Sequence, residues 1–155
     1  QALTTFIGQN LGAKEYDRTK KGALFGTICG IGIAEVIGIA VFFFSPYLIA
    51  AFGGDQKAIE YGIAEAHTIA LFYCLLAFSH CMAAIQRGAG RSIVPMFVMM
   101  LVWCGVRVTY ISIVIRIIPV INVIYWAYPL TWFISSVIFL ILFLKTDWIH
   151  GLEKQ

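Results

Sequence analysis

The sequence has 155 residues, of which 61% are hydrophobic and only 12% charged, with a formal net charge of +3. About 25% charged residues is usual for a soluble domain, and a water-facing surface needs more polar side chains than this chain supplies, so lipid is the expected solvent. The mild positive balance, without a basic run interleaved with exposed aromatics, excludes nucleic acid as a partner.

In chain order, residues 2–7 read as the end of a helix. The chain begins at Gln1 without Met, so the sequence is expected to be a piece of a longer protein, cut inside that helix. Residues 8–21, "GQNLGAKEYDRTKK", form the most polar stretch and read as a loop. Gly8 and Gly12 would permit a sharp helix exit. Gln9 and Asn10 would bond backbone groups left open at helix ends, and Arg18, Lys20 and Lys21 would hold anionic headgroups.

Four apolar runs follow, at about residues 22–44, 63–85, 93–115 and 120–144. Each approaches the roughly 20 residues that a helix needs to cross the hydrocarbon core. An open strand would leave its backbone groups unpaired in lipid, so the predicted fold class is an all-α transmembrane multi-helix bundle. The first run carries Gly22, Gly26 and Gly30 on one face, a pattern that admits a neighbouring helix closely. Ser45-Pro46 closes it, Gly53-Gly54-Asp55 makes the next turn, residues 86–92 the third and a Pro119-centred turn the fourth. Pro129 should kink the last span. Tyr47, Tyr125, Trp126, Tyr128 and Trp148 sit near span ends, where amphipathic rings favour the headgroup region.

Alternate connections must share one side of the membrane. Residues 8–21, residues 86–92 and the tail from Lys145 hold Lys14, Arg18, Lys20, Lys21, Arg87, Arg91, Lys145 and Lys154, whereas the other two turns hold only Lys57 and Arg116. The positive-inside rule therefore places the two loops and the tail in the cytoplasm.

Two charges lie within spans, Glu35 in the first and Arg107 in the third. Each is about 20 Å from the cytoplasmic end of its run, and a charge at that depth faces water or a partner. Equal depth allows a Glu35–Arg107 pair, and the two are expected to face each other or an aqueous cavity. Glu65 and His67 sit near the outer end of the second span; two apart, they face different ways and make no zinc hydrolase. His67 and His80 read as interfacial residues. Cys29, Cys74, Cys81 and Cys104 match no metal-binding spacing and read as small apolar fillers. No metal site and no catalytic constellation is present in the sequence, so an enzyme is not expected. Phe72, Tyr73 and Tyr110 are candidates for contacting a cation through their ring faces.

Three stretches then point to a family. "GQNLGAKEYDRTKKG", through Gly8, Gln9, Asn10, Gly12, Ala13 and Arg18, resembles a cytoplasmic loop of the multidrug and toxic compound extrusion (MATE) transporters. "QRGAGRSIVPM", through Arg87, Gly88 and Gly90, is similar to that family's R-G-x-G loop, which leads into a helix with Pro near its start. "WCGVR", Trp103 to Arg107, is similar to the W-x-x-x-R of the following helix. The resemblance implies twelve helices in two six-helix lobes, with this chain running from the end of the eighth helix through the twelfth, in the C-terminal lobe. It implies a Na+- or H+-coupled antiporter in the cell membrane that exports drugs or organic cations. The partners would be membrane lipid, the N-terminal lobe and small organic cations, with no cofactor beyond the transported ion. Its coupling residues would be intramembrane acids, for which Glu65 is the candidate on the second span; Glu35 and Arg107 are separate candidates for ion coupling or cavity lining, from their position within spans alone. A lipid-linked oligosaccharide flippase of the same superfamily, which would use Arg107 and Arg116, and a small four-helix membrane scaffold are the alternatives.

Overall fold

A computed structural model describes residues 1–149, and all regular secondary structure among them is helical. Six helices run in order: α1 (Ala2–Gly12), α2 (Tyr16–Ala51), α3 (Gln56–Ala70), α4 (Tyr73–Gly88), α5 (Ile93–Ile117) and α6 (Asn122–Lys145). Helices α2, α5 and α6 are each long and apolar enough to cross a membrane; α3 and α4 pass together as a fourth candidate span, bent by 57°. Lys154 and residues 150–155 of the expected tail lie outside the described residues.

Local chemistry explains where the helices depart from the sequence reading. Residues 8–21 are not a loop. Helix α1 passes through Gly8 and Gly12, α2 begins at Tyr16, and residues 13–15 alone connect them. At the far end, α2 does not stop at Ser45-Pro46 but runs on to Ala51. Pro46 has no N–H for the carbonyl of Phe42; the buried hydroxyl of Ser45 donates to that carbonyl instead, at 3.3 Å. Thr19 and Thr27 bond the Glu15 and Ala23 carbonyls one turn back, both at 2.8 Å, so these hydroxyls need no water. Gly53 and Gly54 make the α2–α3 turn at φ of +70° and +134°, values that only glycine adopts freely. Helix α5 carries a π-helical segment, Met100–Val106, within its length.

The most buried core gathers at one end of the bundle, where Ile7 and Leu11 of α1, Ala23 of α2, Met82 and Ile85 of α4 and Phe139 of α6 meet Trp148. The glycine face of α2 takes its neighbours as a close-packing stripe does: Gly22 lies against Phe6, Gly26 against Leu3 and Gly30 against Cys81. Elsewhere large apolar side chains such as Phe25, Val36 and Phe43 stay exposed, a surface suited to lipid or to more protein. Two expected interfacial anchors, Tyr125 and Trp148, are buried against neighbouring side chains rather than exposed.

Candidate functional site

The span formed by α3 and α4 breaks at residues 71 and 72. A helix start leaves backbone N–H groups without intrahelical acceptors, and inside a bilayer no water is present to take them. Here the N–H of Cys74 donates to Oε2 of Glu35, at 3.2 Å. A carboxylate at this place also meets the positive end of the α4 dipole. One turn further along α2, Gly38 lies against the carbonyl of Ala70 and the ring of Tyr73, and a Cβ built on Gly38 would collide with that carbonyl oxygen. One turn beyond, Phe42 stacks on His67 of α3, with ring centroids 4.3 Å apart. One face of α2 thus holds both sides of the break: Glu35 caps α4, Gly38 allows the approach and Phe42 grips α3.

Arg107 does not reach Glu35. Its guanidinium donates from Nη2 and Nε to Oγ1 of Thr131 on α6, at 2.7 and 3.3 Å. Its Cζ lies 4.3 Å from the centroid of the Tyr128 ring, a cation–π arrangement. Helix α6 stands against Arg107 where the sequence reading placed a carboxylate. An aromatic series connects them indirectly. Tyr73, next to Cys74 at the break, meets Trp132 edge-on at 6.1 Å, and Trp132 meets Tyr128 at 6.2 Å.

Beside this series runs a belt of hydroxyls. Ser79 Oγ lies 2.9 Å from Ser135 Oγ and 3.0 Å from Ser136 Oγ, all three buried. Ser136 donates to the carbonyl of Leu75 at 3.1 Å, and Nε1 of Trp103 in the π segment donates to Ser135 Oγ at 3.3 Å. An insertion of the π type is frequent at functional sites; here it accompanies the indole that ties α5 to α6. His80 meets Trp103 edge-on at 5.3 Å. Between Glu35 and Arg107 these contacts gather the rings of Tyr73, Trp132, Tyr128 and Trp103 and the four hydroxyls of Thr131, Ser79, Ser135 and Ser136.

The two glycine motifs form one structural device used twice. At the end of α1, the N–H of Lys14 bonds the Leu11 carbonyl at 3.0 Å and that of Glu15 bonds the Asn10 carbonyl at 2.9 Å. At the end of α4, the N–H of Gly90 bonds the Arg87 carbonyl at 3.1 Å and that of Arg91 bonds the Gln86 carbonyl at 2.9 Å. Both are Schellman caps, with Lys14 (φ 59°) and Gly90 (φ 79°) at the left-handed position. The helix exit therefore falls at Lys14 rather than at Gly8 or Gly12. The Asn10 amide bonds the Phe6 carbonyl of its own helix at 2.7 Å, while Gln9 is exposed. Gly90→Ala should destabilise the protein by about 1–2 kcal/mol, because a Cβ disfavours the left-handed conformation. Lys14→Gly should instead stabilise by up to about 1 kcal/mol, relief of strain outweighing backbone entropy. Reversible unfolding in mixed detergent reads both changes.

The capped helices also cross. Gly8 lies against the Gly88 carbonyl, and a Cβ on Gly88 would stand 2.7 Å from both the Ile7 Cβ and the Thr4 carbonyl oxygen. Thr4 donates to the Ala84 carbonyl at 3.2 Å. Arg18 and Arg87 are exposed on this end of the bundle.

Of the other residues singled out from sequence, Glu65 is half-buried on α3. Phe72 meets Trp126 edge-on at 5.8 Å, and Tyr110 lines a shallow apolar groove on α5. Cys29, Cys74, Cys81 and Cys104 are free thiols. Sequence reasoning passed over Thr131, Ser79, Ser135 and Ser136. Adjacent serines inside an apolar run were the available signal, since a hydroxyl in lipid requires a partner.

Comparison with known proteins adds a family-level finding. A family model described as MatE matches residues 1–111. Over 97 residues, 63% of this chain, the sequence is 29% identical to a protein of Thermotoga maritima named "Probable multidrug resistance protein NorM". The chain spans 21% of that relative's length.

Proposed function

The chain belongs to the MatE family, a family of transporters rather than enzymes, and from that premise we propose that it serves a Na+- or H+-coupled antiporter that exports drugs or organic cations across the cell membrane. On this reading it supplies the C-terminal lobe from the end of the eighth helix through the twelfth, facing an N-terminal lobe across the transport path. The four spans are those near residues 22–44, 63–85, 93–115 and 120–144, and the α1–α2 and α4–α5 connections and the tail face the cytoplasm. The charge distribution supports that orientation, and the multidrug-resistance name of the T. maritima relative supports the cargo class.

The observation that carries the ion-coupled reading is Glu35 at the broken span. Broken helices recur at the ion and substrate sites of transporters, because unwound backbone groups and half-helix ends become ligands. A cation or a proton arriving at Glu35 competes with the Cys74 N–H for the same oxygen. Ion occupancy then biases the bend between α3 and α4, and the Tyr73–Trp132–Tyr128 series passes the change toward Arg107. Glu65 is a second candidate on the α3 half of the same span. The flippase alternative draws less support: Arg107 is held by Thr131 and Tyr128, and Arg116 is exposed near the end of α5.

The test is extrusion of a cationic dye from cells expressing the whole transporter, this chain together with its N-terminal lobe. Glu35→Gln keeps an oxygen that accepts from Cys74 but removes the charge. It should leave the amount of folded protein unchanged and abolish ion-driven extrusion. Unchanged extrusion by this variant would remove Glu35 from the coupling mechanism, and no extrusion by the unsubstituted whole transporter would remove the exporter reading.

A further inference from the structure

A groove of about 420 Å3 opens between α2, α4 and the end of α6. Its sides are apolar, with Leu24, Phe78, Met82 and Phe143 among them, and Lys20 is the one charged residue among the described residues that line it. Trp148 also lines it, stacked on Phe143 with centroids 5.1 Å apart. The segment bearing Trp148 is held in place from outside, since Nη2 of Arg91 donates to the Asp147 carbonyl at 3.0 Å. The groove thus has a fixed end and a cation, at the level where α2 begins and α6 stops.

We propose that this groove is a binding site for an anionic phospholipid, with an acyl chain along Leu24, Phe78 and Met82 and the headgroup phosphate on Lys20. The proposal rests on the membrane orientation given above, under which Lys20 lies at the cytoplasmic headgroup level. Charge complementarity selects the occupant. Lys20, Lys21 and Arg18 stand together on the first turns of α2, opposed there by Asp17 and Glu15, so the segment carries a net positive charge. Such segments attract anionic lipid at the cytoplasmic surface, while the aliphatic part of a lysine lies along apolar surface with its ammonium at the interface. A zwitterionic lipid sets its own quaternary ammonium beside the phosphate and so offers Lys20 less net attraction, and an apolar helix packed in the groove would bring no anion to the ammonium.

The position of Trp148 makes the proposal measurable. The full chain and its Trp148→Phe variant are reconstituted in vesicles of phosphatidylcholine containing a small fraction of either brominated phosphatidylglycerol or brominated phosphatidylcholine. The difference in fluorescence between the two proteins isolates Trp148. Brominated phosphatidylglycerol should quench that difference signal at about fivefold lower mole fraction than brominated phosphatidylcholine, the preference that about one lysine contributes at a charged surface. Lys20→Gln should remove the preference and Lys20→Arg should keep it. Equal quenching by the two lipids, or a preference that survives Lys20→Gln, overturns the proposal. Quenching of the remaining tryptophans without any quenching of Trp148 also overturns it, showing the groove to be covered by protein. If no tryptophan responds to any brominated lipid, the membrane placement itself fails.

Discussion

Gly88→Ala will unfold the crossing of α1 and α4, at a cost of about 2–3 kcal/mol, near the upper range for overpacking. A single methyl is added, but it arrives 2.7 Å from the backbone oxygen of Thr4 and from the Cβ of Ile7. Neither obstacle is the free end of a flexible side chain. Ile7 is fully buried in the main core, and Thr4 is tied to α4 through the Ala84 carbonyl. The helices must separate, and the core that joins Ile7, Ile85 and Ala89 opens with them. The same substitution at Gly12, in the equivalent place of the other motif, meets nothing within 4 Å. There alanine should be neutral or stabilising by up to about 1 kcal/mol, as helix propensity predicts. Unfolding of the two variants in mixed detergent therefore separates them, with a loss of stability at Gly88 and none at Gly12. Equal losses would mean that the motif glycines act through local backbone freedom and not through the crossing.

The sequence disclosed the number and nature of the apolar runs because bilayer thickness and backbone hydrogen bonding leave little choice. It did not disclose the break in the second run. "IALFYCLL" has neither proline nor glycine, and nothing local interrupts it. The interruption is stabilised from α2, by the oxygen of Glu35 and the missing side chain of Gly38, a tertiary cause with no local trace. Pro46 shows the reverse case, a strong local stop signal cancelled by the neighbouring Ser45 hydroxyl. Equal depth suggested that Glu35 would pair with Arg107, but depth along a helix says nothing of azimuth, and α6 takes Arg107. The glycine motifs were legible as positions of constraint. Their spacing could not distinguish a loop from two capped helix ends, because both place glycine beside polar residues.

The second large effect concerns the break and is expected to be non-additive. Glu35→Ala leaves the Cys74 N–H without its acceptor, which should cost about 1–3 kcal/mol. Gly38→Ala directs a methyl at the Ala70 carbonyl oxygen and should cost about 1–3 kcal/mol through displacement of α2. The displacement moves Glu35 as well, since the two residues lie one turn apart on the same face. Once Gly38→Ala has withdrawn α2, the bond to Cys74 is already lost, and deleting the carboxylate removes little more. The double variant should therefore fall short of the sum by about 1–2 kcal/mol, within the range for residues sharing one structural feature. The Phe42–His67 stack, on the α3 side of the break, supplies a control: Phe42→Ala should couple to Gly38→Ala more strongly than to a change at Ser79, which belongs to the hydroxyl belt between α4 and α6. A strictly additive Glu35–Gly38 pair would mean that the bend in the second span persists without α2. The carboxylate would then be a passive cap, and ion arrival at Glu35 would have no mechanical route to the rest of the lobe. Strong coupling would make the bend and the carboxylate one two-state element, which is the condition under which binding an ion can move helices.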